Sequence, residues 1–224
     1  MKKCIVISDS FKGSLPSRDI CAIARERIPL YFPACEVRAL NVADGGEGTV
    51  DCFLDSCGGE RVLVSGVQNP YGEPIDAAYG LLPDGQTAVV EMAAAAGLPL
   101  VGSDRRVAAA TTYGVGQLMA HALERGAKRI VLGLGGSATN DGGVGMLQAL
   151  GFGFLDKNGN QIRFGAKGLE DLESITTDHV LPELKECTFR IACDVSNPLC
   201  GEQGCSAIYG PQKGATSTMI LQMD

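Results

Sequence analysis

The sequence predicts an α/β protein. Short β-branched runs alternate with helix-period segments from residue 4 to residue 65. Glycine-rich polar loops follow those runs, at the strand ends where a parallel sheet binds its ligands. Hairpin signals after residue 68 add a mixed-sheet portion. With 224 residues, 45% hydrophobic and 20% charged, the chain suffices for one large domain or two small ones.

Cys4–Ser8 is the first strand, and Ser17 caps a helix to about Ile28 with Ile20, Ala24 and Ile28 on one face. Pro33 ends that unit, and Val37–Val42 is the second strand. A helical stretch runs to about Cys57, and Gly58-Gly59 turns the chain into a strand at Arg61–Ser65. Residues 1–67 are therefore expected to form a Rossmann-like parallel unit. Ile75–Leu82 and Thr87–Met92 form a hairpin across Pro83-Asp84-Gly85-Gln86, and residues 93–97 make one helical turn or a close approach between layers. A helix spans Tyr113–Arg125 and stops at Gly126; Lys128–Leu132 is a buried strand; Gly142–Leu150 is helical. Phe152–Asp156 pairs in a hairpin with residues near Ile162, Leu169–Ile175 is a short helix, and Thr188–Cys193 is a strand ending in Asp194. A last helix covers Ala215–Met223, so residues 68–224 are expected to form a second, mixed-sheet α/β domain.

Charge and composition exclude several function classes. A net charge of −7 argues against nucleic acid or an anionic membrane as main partner. No apolar run approaches the roughly 18 to 20 residues of a membrane span, and the start MKKCIVISDS is too short for a secretory segment, so the expected compartment is cytoplasmic. Nine cysteines without a C-x-x-C pair, and only His121 and His179 beside them, read as reduced structural thiols rather than a zinc site. Tryptophan is absent and aromatics make up 5%, which argues against a stacking platform for bases.

Four polar loops carry the candidate chemistry. In the first, Asp9 could hold a metal or a hydroxyl, Ser10 adds a hydroxyl, and Lys12 offers a flexible charge for phosphate. In the second, Gly45 and Gly46 free the backbone to approach an anion at a helix start, with Asp44 as base or magnesium anchor and Glu47 beside it. The third runs Gly133-Leu134-Gly135-Gly136-Ser137-Ala138-Thr139-Asn140-Asp141-Gly142-Gly143. It mimics a dinucleotide fingerprint with Asp156 as ribose acid, yet its length and polarity suit a phosphate and metal cradle better. The fourth places Asp194 and Asn197 as oxygen ligands beyond a strand, with Lys213 in a later glycine-rich turn. No P-loop, H-E-x-x-H or G-x-S-x-G sequence is present.

The segments Asp9–Ser14, Ala43–Thr49, Gly135–Gly143, Cys193–Leu199 and Gly210–Gly214, in this order, resemble the bacterial glycerate kinase family of glucarate and glyoxylate breakdown. The resemblance implies ATP-dependent phosphorylation of D-glycerate, giving 2-phosphoglycerate, with ATP and Mg2+ required and two α/β domains flanking a cleft. It implies Asp44, Lys12 and Asp194 as catalytic residues, and Asp141 and Asp194 as magnesium ligands. Asp9, Ser10, Gly45, Gly46, Glu47, Gly135, Gly136, Ser137, Thr139, Asn140, Asn197 and Lys213 become the residues that bind glycerate or nucleotide. Family members are considerably longer, so the chain is expected to be a carboxyl-terminally truncated, amino-terminal portion of such a kinase, with homo-oligomerisation a consequence of unpaired edges. Two alternatives stand beside the kinase: an NAD-dependent oxidoreductase using Gly133–Ala138, and a non-catalytic ligand-binding fragment.

Overall fold

A computed structural model describes residues 2–11 and 14–224. Strands β1 (Lys3–Ser8) and β2 (Glu36–Asn41) pair in parallel from Lys3↔Glu36 to Ser8↔Asn41. A parallel pair needs a long crossover, which α1 (Ser17–Tyr31) supplies. The Ser17 hydroxyl donates to Ser8 O and accepts from Val42 N, fastening the helix start to both strand ends. Cys4, Val6 and Ser8 are half-buried, whereas Ile5 and Ile7 on the opposite face are about 60% exposed. Helix α2 (Thr49–Cys57) follows Gly48, whose φ of 92° few other residues adopt.

The main sheet has five strands in the order β3-β4-β5-β6-β9. These are β3 (Glu60–Gln68), β4 (Pro74–Leu81), β5 (Thr87–Glu91), β6 (Arg129–Gly133) and β9 (Thr188–Ala192). The β3–β4 and β4–β5 junctions are antiparallel; β5–β6 and β6–β9 are parallel. The β4–β5 hairpin forms as its turn chemistry predicts, with Asp84 accepting from Gln86 N, Thr87 N and the Thr87 hydroxyl. Those bonds and Arg129 hold the Asp84 carboxyl below its ordinary range.

Two expectations need correction. The strand around Arg61–Ser65 does not extend the β1–β2 pair. It is the antiparallel partner of β4, because Asn69 Oδ1 accepts from both Tyr71 N and Glu73 N and turns the chain straight back. The run Leu169–Ile175 is not one helix: a 3₁₀ segment covers Ala166–Asp171, and Ser174–Thr176 is strand β8, paired with β7 (Gly153–Leu155). The turn at residues 157–160 exists, but its return leg is a single bridge, Leu155↔Gln161.

The core lies between the sheet and α4 (Tyr113–Glu124), whose Val115, Leu118, Met119, Ala122 and Leu123 face Tyr79, Val90, Ile130 and Leu132. Every residue of β5 is buried, as a central strand covered on both faces requires. Helices α3 (Met92–Ala96), α5 (Val144–Ala149), α6 (Cys205–Tyr209) and α7 (Ser217–Met223) are short; Thr216 caps the last by accepting from Met219 N. All nine cysteines are free thiols, although only Cys21 and Cys35 are buried. Among the described residues no helix is long and apolar enough to cross a membrane.

Leu118 is fully buried at the centre of α4. Leu118→Ala should lower the unfolding free energy by about 2–5 kcal/mol, read from the urea midpoint at unchanged slope.

Candidate active site

Four strand ends frame the site: β1 runs into Asp9, β2 into the loop at Asp44, β6 into Gly133–Gly136, and β9 into Asp194. Between the start of α1, the loop 41–48 and the segment 93–99 lies a cleft of about 590 Å³. It brings together Asp9, Ser10, Asp44, Gly46, Glu47 and Gly136 of the sequence-predicted residues. Asp51 adds another carboxylate, and Arg18 is the one cation lining the cleft among the described residues. Lys12 lies outside the described residues.

The glycines of the second and third loops have a steric reason. The backbone at Gly45–Gly46 crosses that at Gly133–Gly135, with Gly135 N donating to Gly45 O at 3.0 Å. A Cβ on Gly133 would stand 2.3 Å from Gly45 O, and one on Gly45 would stand 2.4 Å from Ala192 O. No side chain fits in this crossing. The amides expected to cradle an anion are partly committed, Gly135 N to Gly45 O and Gly46 N to Asp44 Oδ1 at 3.0 Å; in the first loop Ser10 N donates to Asp9 Oδ1 at 2.7 Å.

The loop from Gly135 to Gly143 is pinned on three sides. Lys213, buried, donates from Nζ to the Ser137 hydroxyl at 2.9 Å and to Thr139 O at 2.6 Å. Burial pulls its ammonium below the ordinary lysine range, while the Asp141 charge works the other way. Asn140 donates to the Ser206 hydroxyl, and Ala138 N donates to Ala96 O. Asp141 is 2% exposed. It accepts from Thr112 N and Thr112 Oγ1 at 2.8 Å each, and from Gly143 N and Gly145 N. The expected magnesium ligand Asp141 thus spends its carboxylate on these donors inside the fold. The Asn197 amide is also engaged, accepting from the Tyr209 hydroxyl and donating to Gln203 O. Asp194 is exposed beyond β9 and does not line the cleft.

The dinucleotide alternative loses its geometry. No helix starts behind Gly133–Ala138; the next one begins at Val144. Asp156 accepts from Asn158 N and Asn160 N in its own turn, which holds its carboxyl below the ordinary range. Sequence reasoning also passed over Glu91 and the pair Thr111–Thr112. The available signals were an acid closing the apolar run Ala88-Val89-Val90 and two threonines directly ahead of a helix.

Oxygen donors in the cleft suit a hard cation. Among the described residues no three His, Cys, Asp or Glu side chains cluster closely enough to hold a metal by themselves. Magnesium characteristically uses one or two carboxylates together with water and phosphate oxygens, a demand that a cleft carboxylate such as Asp9 or Glu47 meets without a third partner.

The crossing has a measurable cost of disruption. Gly45→Ala should destabilise by about 3 kcal/mol, from positive φ and overpacking together. Gly48→Ala, at similar φ in open space, should cost only about 1–2 kcal/mol. Urea titration of both variants isolates the steric part; equal losses would mean the crossing tolerates a side chain.

A model of the glycerate kinase family matches residues 4–224. The glycerate 2-kinase of Escherichia coli (strain K12) is 46% identical over 224 residues, 99% of this chain and 58% of that protein. The glycerate kinase of Bacillus subtilis (strain 168) is 46% identical over 223 residues, with the same shares. The crystal structure assigned as glycerate kinase 2 of Salmonella typhimurium LT2 superposes with a TM-score of 0.86 at 43% identity, over 99% of this chain and 59% of that one. The chain therefore spans somewhat under three fifths of the length of these relatives. Its match along nearly every residue, with an α/β fold shared with a solved relative, shows that the chain belongs to the glycerate kinase family.

Proposed function

We propose that the chain serves ATP-dependent phosphorylation of D-glycerate at its 2-hydroxyl, giving 2-phosphoglycerate. The observation that carries this reading is the cleft in which Asp9, Asp44, Glu47 and Gly136 meet over the glycine crossing, in a chain whose relatives are glycerate kinases. Phosphoryl transfer depends mostly on placing donor and acceptor in line and balancing their charge, and a cleft walled by pinned loops suits that demand. Asp44, whose Oδ1 is oriented by Gly46 N, accepts the proton of the attacking hydroxyl. The main-chain loop Gly136–Asn140 faces the nucleotide, held from behind by Lys213. Asp194, expected as a second catalytic carboxylate, stands exposed two residues past Ala192 and outside the cleft, so it takes no part in the proposed transfer. Asp9 or Glu47 would hold magnesium, which would supply charge neutralisation for the phosphates.

The proposal extends to organisation. β1, α1 and β2 form one unit; α2 packs on β4 and β5, with Val50 and Leu54 beside Gly80, and this packing together with the sheet pairing supports placing α2 and β3 with the second unit, so the division falls before Thr49 instead of at residue 67. The protein works in the cytoplasm. Ile5 and Ile7 on the uncovered face of β1 favour homo-oligomerisation of the isolated chain.

Glycerate- and magnesium-dependent ADP formation tests the activity. Asp44→Asn should lower it about 10²-fold or more with an unchanged circular dichroism spectrum. A folded variant of near wild-type rate would remove Asp44 from the mechanism.

The 224-residue chain should turn over at least about ten-fold more slowly than the Escherichia coli relative, because transfer needs all contacts placed at once. Size-exclusion chromatography should show it self-associated. A monomer with the relative's rate would show that this cleft is a complete site, and binding of glycerate or ATP without turnover would favour a non-catalytic role.

A further inference from the structure

Glu91 closes β5, is 8% exposed, and stands opposite Gly133 in the β5–β6 register. Its Oε1 accepts from Val50 N, in the first turn of α2, at 2.5 Å. The first amides of a helix have no partners within it and are commonly satisfied by the side chain of the preceding residue. That residue is Gly48, which has none, and the Thr49 hydroxyl donates to Gly46 O at 2.7 Å. A carboxyl from a strand far along the chain does the capping instead. One residue later α3 begins; its Ala93 lines the cleft, and its Ala96 O holds Ala138 N.

We propose that Glu91 is a positioning residue for the cleft: it ties the first turn of α2, and hence the Asp44–Glu47 loop, to the strand end beside Gly133, fixing the spacing of the two walls. The catalytic consequence rests on the kinase reading; the structural one rests on geometry alone. A buried carboxyl is expensive, so its presence needs a task that an apolar residue could not perform. Burial pushes the Glu91 carboxyl up, Asp51 and Glu47 act in the same direction, and Val50 N and Arg61 oppose them. The charged and the neutral forms both present an oxygen to Val50 N, and glutamine offers the same acceptor.

The test compares Glu91→Ala and Glu91→Gln in the 224-residue chain by amide hydrogen exchange and by steady-state kinetics with glycerate. Glu91→Ala should speed exchange in residues 44–52 about ten-fold or more while peptides from β5 and α4 stay unchanged. It should lower kcat about ten-fold or more with the KM for ATP within about two-fold, since misplacement by an ångström can cost that much. Glu91→Gln should restore both to within about three-fold of wild type. Unchanged exchange at 44–52, or an equal rise across β5 and α4, would overturn the proposal and leave Glu91 an ordinary core residue. If Glu91→Ala does not fold, Glu91→Asp, which keeps the charge and loses the reach, must show the same local rise. A wild-type chain that does not phosphorylate glycerate refutes the kinase reading, and the exchange result still decides the role of Glu91.

Discussion

The contact on which the site depends is a crossing of two bare backbones. Gly45–Gly46 passes over Gly133–Gly135 with one hydrogen bond, Gly135 N to Gly45 O, and no room for a Cβ between them. Ala192 O closes the third side at Gly45. The ends of β2, β6 and β9 are thereby drawn to one point although β2 belongs to a different sheet from the other two. Every polar loop that could meet a ligand leaves from this point or from the adjacent end of β1. The spacing of the cleft walls follows from backbone contact, the least compressible packing a protein has.

Around the crossing, buried charges are used as scaffolding. Asp141 holds Thr112 and the start of α5, Lys213 holds Ser137 and Thr139, and Glu91 holds Val50. Each carries a desolvation cost that hydrogen bonds must offset. Removing a partner would leave a buried charge uncompensated, so these residues define loop shape strongly. That explains why several conspicuous polar residues of the glycine loops turn out to face the fold. Asp9, Asp44 and Glu47 are among those that remain in the cleft.

Local signals were readable and distant ones were not. The parallel β1–α1–β2 unit, the β4–β5 hairpin and the apolar face of α4 follow from period and turn residues within a dozen positions. The partner of β3 does not, since the run Arg61–Ser65 would suit either sheet and Asn69 decides it. Position 169–175 misleads because Leu and Ile spaced for a helix also serve a 3₁₀ turn and a three-residue strand. The glycine clusters announced a special place without saying why. Glycine serves positive φ, close approach or ligand contact equally well, and at Gly45 the deciding atom is the carbonyl of Ala192, most of the chain away. Likewise Asp141 looked like a ligand because Thr112, which occupies it, lies on another segment.

The acidity of the cleft ties the proposed chemistry together. Asp9, Asp44, Glu47 and Asp51 line the cleft with Arg18, the one cation among the described lining residues; Arg18 approaches Asp55, and Asp51 pairs with Arg61. Two unit charges about 4 Å apart at an effective dielectric of ~20 interact by about 4 kcal/mol, so bare phosphate would be repelled from such a wall. Magnesium on the nucleotide phosphates would lessen that repulsion and would give the carboxylates a cation to meet. A nearby negative group also raises the proton affinity of any carboxylate that must act as base. An acidic wall with a rigid glycine floor would therefore favour a phosphate ligand that carries a cation over the bare anion.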